Sequence, residues 1–188
     1  MPPKIKITKQ ALLQKAYEIT EQQGIEALTS RSLAAAAGCS VQPVFSHFPT
    51  MEELRQETFQ YACSRFLEEV MVYRDRPDFP AICSKWTLDL ARKRPNLYKL
   101  LYLSDGFPHT SMSRMMIDFE SNRKMAEHMA AAYGLSTQDC QNILVRSCLF
   151  LMGICTMICI NHIEITDREA LSMMQETVTD MVERKRRN

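Results

Sequence analysis

Between Ile143 and Ile160 the chain is apolar on every side, broken only by Arg146 and small polar residues. Segments of this kind are helices with no solvent face, so both sides must be covered. A membrane would cover them, but the uncharged part, residues 147–160, falls short of the roughly 20 residues a span needs. It also holds Ser147, Gly153 and Thr156. The remaining solution is a helix with its own core on one side and a partner on the other. The last helix repeats the demand: Thr166-Asp167-Arg168-Glu169 reads as a capping box, followed by Leu171, Met174, Val178 and Met181 at helical spacing. Two such helices from each of two chains make a four-helix bundle. Residues 136–185 are therefore expected to form a dimer interface, with Leu149, Gly153, Thr156 and Ile160 contributed by the first helix and the last helix's four apolar residues by the second.

The rest of the chain is helical by the same reading. It has 188 residues with only 5 glycines, and its prolines fall between helical patterns. Thr8 should cap a first helix that ends at Gly24, with Leu12, Ala16 and Ile19 on one face. Thr50 should cap a long helix reaching to about Arg74, a lever from the first helices to the body. Further helices are expected from Phe79 to Arg94, from Asn96, from Ser111 to Tyr133, and after Ser136. The basic run Arg92-Lys93-Arg94 sits where a helix C-terminus favours cations.

Thr29 to Phe48, TSRSLAAAAGCSVQPVFSHF, carries the functional signal. Thr29 caps a short helix with Leu33, Ala34 and Ala37 on its apolar face; Gly38 ends it in a left-handed turn, and Ser40 opens a second helix. Val44 and Phe48 lie four apart on the inner face of that helix, leaving Val41, Gln42, Ser46 and His47 outward. A helix, a glycine-bearing turn and a second helix led by small polar residues form the helix-turn-helix that enters a DNA major groove.

From Ile7 to Leu54 the landmarks resemble the N-terminal DNA-binding domain of the TetR family of bacterial transcriptional regulators (TetR/AcrR-like). They are Glu21-Gln22-Gln23-Gly24, Ala27-Leu28-Thr29, Leu33-Ala34, Ala37-Gly38-Cys39-Ser40, Phe45, His47-Phe48 and Met51-Glu52-Glu53-Leu54. Two residues depart from the family pattern, Phe45 where Tyr is usual and Met51 where Lys is usual. Both positions commonly touch phosphate, so grip on the backbone should be weaker or shifted to other groups. The resemblance implies an all-α protein with a three-helix DNA-binding domain (1–50) and a helical effector-binding and dimerisation domain (51–188). It further implies a cytoplasmic homodimer, a repressor released from a pseudo-palindromic operator by a small molecule, and no catalysis.

Gln42 is the expected base reader, because its amide pairs with both edge groups of adenine. Val41 and Pro43 could touch thymine methyls, and Ser46 or His47 base or phosphate; Ser40 belongs to the same surface. Pro43 fits the first helical turn, where its missing N–H has no intrahelical partner. Arg31 is placed for phosphate, and Lys4, Lys6 and Lys9 form a basic arm without an acid among them. By resemblance Phe45 packs near the DNA backbone. For the effector, Trp86, Leu90, Tyr98, Tyr102, Met116, Phe119, Arg123 and Met152 are the expected lining, Arg123 because a cation on an apolar stripe could anchor an acidic ligand.

Net charge is +1, from 23 basic and 22 acidic residues, so no global field marks a nucleic-acid binder. Met1-Pro2-Pro3 leads straight into charge without a signal-peptide pattern, and the 7 cysteines are expected as reduced thiols. Cys148, Cys155 and Cys159 share a helix face, but no CxxC or Cys/His spacing supports a metal, and no cofactor is expected. Two other readings stay open: a helix-turn-helix protein acting mainly through a protein partner, and a thiol- or metal-sensing regulator.

Overall fold

The computed structural model describes residues 7–76, 78–104 and 120–187. Among them are nine α-helices and no strand: α1 Lys9–Gln23, α2 Ser30–Ala36, α3 Val41–His47, α4 Met51–Met71, α5 Phe79–Lys93, α6 Pro95–Leu103, α7 Glu120–Tyr133, α8 Thr137–Asn161 and α9 Asp167–Arg187. The expected loop after Ser104 and the first turns of the helix expected from Ser111 lie outside the described residues.

Local chemistry sets most helix ends. Thr8 Oγ1 accepts from the Ala11 N–H at 3.2 Å, starting α1, and Gly24 ends it at φ 88°. Pro95 occupies the first position of α6, where its lost N–H has no helical partner. At α9 the box is reciprocal: the Thr166 N–H donates to Glu169 at 2.8 Å, and the Glu169 N–H donates to Thr166 Oγ1 at 3.2 Å. The expected continuation of α4 to Arg74 is corrected to Met71. There i→i+3 bonds, from Tyr73 to Val70 and from Arg74 to Met71, tighten the chain into turns.

Contacts divide the described residues into two compact units, those within Met1–Leu67 and Arg94–Phe107, and those within Glu68–Lys93 and Pro108–Asn188. The expected domain boundary at residue 50 follows the sequence motif; the first unit by contact also takes in most of α4 and all of α6. Its core joins Leu12, Ala16 and Ile19 of α1 to Leu28, Leu33, Val44, Phe48 and Leu54. Within the same unit α6 packs on α1, with Tyr98 fully buried. Asn96 donates to the Glu21 carbonyl at 3.1 Å, and Arg94 bonds both Glu21 and the Tyr17 hydroxyl.

In the second unit α8 is central, packing on α5, α7 and α9. Its buried side chains, among them Ile143, Leu144, Leu151, Cys155 and Ile158, are one reason its sequence is so apolar. By length and mean hydropathy (2.3 over its most apolar window) α8 would pass for a membrane span, with 39% of that window buried. Arg92 ties α5 to the start of α9, donating to Asp167 at 2.9 Å and to the Ile165 carbonyl.

Candidate nucleic-acid interface

The turn between α2 and α3 is built from the backbone. The Thr29 Oγ1 accepts from the Ser32 N–H at 3.0 Å, and Ser32 Oγ accepts in return from the Thr29 N–H at 2.9 Å. At the other end Cys39 N–H reaches the Ala34 carbonyl at 3.0 Å and Gly38 N–H the Ala35 carbonyl at 3.2 Å. This paired closure requires a left-handed residue between helix and exit, and Gly38 supplies it at φ 64°. Ser40 takes the N-cap position of α3, but its hydroxyl makes no capping bond.

Val44 and Phe48, each 1% exposed, fasten α3 to the core. Gln42, Ser46 and Phe45 face solvent, Phe45 at 45% exposure, while Val41, Pro43 and His47 are half-buried. An exposed ring beside an exposed carboxamide is the surface a groove-entering helix requires: one group to hydrogen-bond base edges, another to pack on sugar. The Ser46 hydroxyl donates to the Gln42 carbonyl at 2.9 Å, so it meets DNA as an acceptor unless that bond breaks.

Two expected DNA contacts have partners inside the protein. The His47 Nε2 lies 3.1 Å from the Ile7 carbonyl oxygen, which can only accept, so the ring donates there. His47 thereby ties the basic arm, at Ile7 between Lys6 and Lys9, to the end of α3. The Lys9 ammonium pairs with Glu57 at 2.6 Å and stands 5.2 Å from the Phe48 ring centroid. Both pairings join residues at least 40 apart in sequence, so no local pattern signals them. Arg31 is exposed and has no ion-pair partner among the described residues. Lys4 and Lys6 lie outside the described residues. Met51, where the family pattern carries Lys, is half-buried against the head core.

The eight expected effector residues divide between the two units, with two of them outside the described residues. Tyr98 and Tyr102 stack on α6 in the first unit with ring centroids 5.1 Å apart. Trp86, Leu90, Arg123 and Met152 belong to the second; Met116 and Phe119 are outside the described residues. Trp86 Nε1 donates to Glu69 at 3.0 Å, and Leu90 is buried. Arg123 is exposed because the buried stripe of α7 runs through Met125, Ala126 and Met129 instead.

Of the expected interface residues, Leu149, Gly153 and Ile160 are exposed on α8 and Thr156 half-buried. Exposed Met157 joins that row. On α9, Leu171, Met174, Val178 and Met181 are half-buried in their own chain, where Met174 Sδ accepts from Ser84 at 3.5 Å. Burial pushes the Cys148 thiol up to about 11 and those of Cys83 and Cys155 up to about 12, so reactive thiolate is scarce near neutral pH. Among the described residues no group of three or more His, Cys, Asp or Glu could hold a metal ion.

Residues 12–58, from α1 into α4, match the family model described as bacterial regulatory proteins, tetR family. The match spans the head core and the α2–turn–α3 surface, where the exposed carboxamide and ring stand. No curated protein matches the chain.

Proposed function

We propose that this chain, a TetR-family DNA-binding transcriptional regulator by the match at residues 12–58, works as a cytoplasmic homodimeric repressor that a small-molecule effector releases from its operator. The observation that carries the reading is the exposed row Gln42, Phe45 and Ser46 on a short helix locked from behind by Val44 and Phe48. Gln42 reads adenine, and Phe45 packs on the backbone without the hydroxyl that a Tyr would offer to phosphate. Arg31 and the basic arm add sequence-independent grip.

The exposed apolar row of α8 supports the dimer, since Leu149, Met157 and Ile160 are 41–46% exposed in the single chain. Joining two chains there would present two heads to one duplex, so the operator is a pseudo-palindrome with half-sites about one helical turn, or a multiple, apart. The effector is proposed to bind among the helices of the second unit, where Trp86, Leu90 and Met152 lie.

Selection of bound duplexes from a random pool tests the reading. Recovered sequences should show two inverted half-sites at fixed spacing, each with an adenine lost from the consensus when Gln42 is replaced by Ala. A single half-site, or no enrichment at moderate salt, would overturn it. The same open α8 row also favours a second reading, capture of a different protein; a chain that sediments as a monomer and enriches no inverted repeat would favour that alternative.

A further inference from the structure

Beside the apolar row, α8 and α9 line a hollow of about 400 Å³, within the segment expected at the dimer contact and with Met181 of that contact in its floor. Asn142 and Arg146 reach it from α8, and Arg184 from α9, over a floor of buried Ile143 and half-buried Met181. Other cations near the end of α9 are engaged: Lys185 with Asp139 at 2.7 Å, Arg186 with the Tyr133 carbonyl at 2.8 Å, Arg187 with Glu183 at 3.0 Å. Arg146 and Arg184 differ, having neither an ion pair nor a hydrogen bond among the described residues. Asp180 lines the same hollow and pairs with neither of them.

Two open guanidinium groups in one depression repel each other, and an anion between them removes the repulsion while filling their planar donor forks. The apolar floor selects further: it rewards an anion with a short hydrophobic body over a small, strongly hydrated one. The volume lies in the range of small-ligand sites. We infer that this hollow binds a small organic carboxylate, with Arg146 and Arg184 on the carboxylate, Asn142 donating to it, and Ile143 and Met181 against its apolar part. Asp180 acts as the competing internal anion.

Calorimetric titration of the full chain with benzoate, and separately with inorganic phosphate, tests this at low salt. Benzoate should saturate at one per chain and bind more tightly than phosphate. Arg146→Gln and Arg184→Gln should each weaken it by about tenfold or more. Asp180→Asn should tighten it severalfold, because the competitor loses its charge. All three side chains are exposed, so circular dichroism melts should match the unsubstituted chain. Unchanged benzoate affinity in both arginine variants would overturn the inference. So would an Asp180→Asn chain that binds no benzoate but self-associates more weakly in sedimentation, because the hollow would then be the rim of a contact between copies. Phosphate binding as tightly as benzoate would overturn the role given to the floor.

Discussion

α3 and α8 differ in what they leave uncovered. α3 turns two polar side chains and one ring to solvent, Gln42, Ser46 and Phe45, and the core behind it is complete, with Val44 and Phe48 each 1% exposed. α8 buries side chains along its whole length and still leaves Leu149, Met157 and Ile160 at 41–46% exposure. The head is thus saturated inside and presents hydrogen-bonding groups, which suits a wet, charged partner such as DNA. α8 presents hydrocarbon, which is stabilised only by another apolar surface. One surface offers polar geometry, the other apolar area.

The largest expected effect tests whether the head is closed. Phe48→Ala should destabilise the head by about 3–5 kcal/mol and abolish specific and nonspecific DNA binding together; denaturant unfolding measures it, and a loss under 1 kcal/mol would mean a loosely packed head. Next comes the open face. Leu149→Asp should weaken self-association by about a hundredfold while the single chain's stability moves by less than about 0.5 kcal/mol. Sedimentation equilibrium reads the first number and melting the second; unchanged association would show that this row is not the contact.

Gln42→Ala should lower specific operator affinity by about 1–3 kcal/mol and spare nonspecific binding. Equal losses on both kinds of duplex would reduce Gln42 to scaffold. Gly153→Ala is smaller and has two signs. Gly153 is mid-helix with no positive φ, and a Cβ there would meet nothing within 4 Å. Nothing in its own chain calls for glycine, so alanine should stabilise the single chain by about 0.5–1 kcal/mol. If a second backbone passes close, the same change weakens association; stronger association would place Gly153 off the contact.

The smallest effect concerns pH. The Thr166 N–H and hydroxyl hold the Glu169 carboxyl below the usual carboxylate range. A lowered folded pKa gives stability that is complete above the unfolded pKa and lost as pH falls through the folded one. Melting temperature should therefore drop on acidification below the ordinary carboxylate range, less steeply in Glu169→Gln, whose side chain cannot titrate.

Helix ends and the turn were legible because each depends on neighbours within about one helical turn: Thr8 over Ala11, Gly38 closing α2, Thr166 with Glu169. On α7 Ala126 of the expected stripe is buried but Arg123 is exposed, because periodicity fixes the presence of an apolar face better than its exact phase. Met125 and Met129, not Arg123, proved to be the buried side. The full burial of Tyr98 was equally illegible, because its helix packs on α1, far away in sequence.

Sequence alone determined that the chain is helical, where its head turns, and that Gln42 and Ser46 of α3 stand outward, whereas Val41 and His47, expected outward with them, are half-buried; short-range hydrogen bonds and the spacing of apolar residues carry that information. Only the tertiary structure decided that His47 and Lys9 are held by Ile7 and Glu57, that α6 packs on α1, and that Arg146 and Arg184 remain open. Partners far apart along the chain are chosen by packing, and no local pattern encodes which of two identical cations will find a carboxylate.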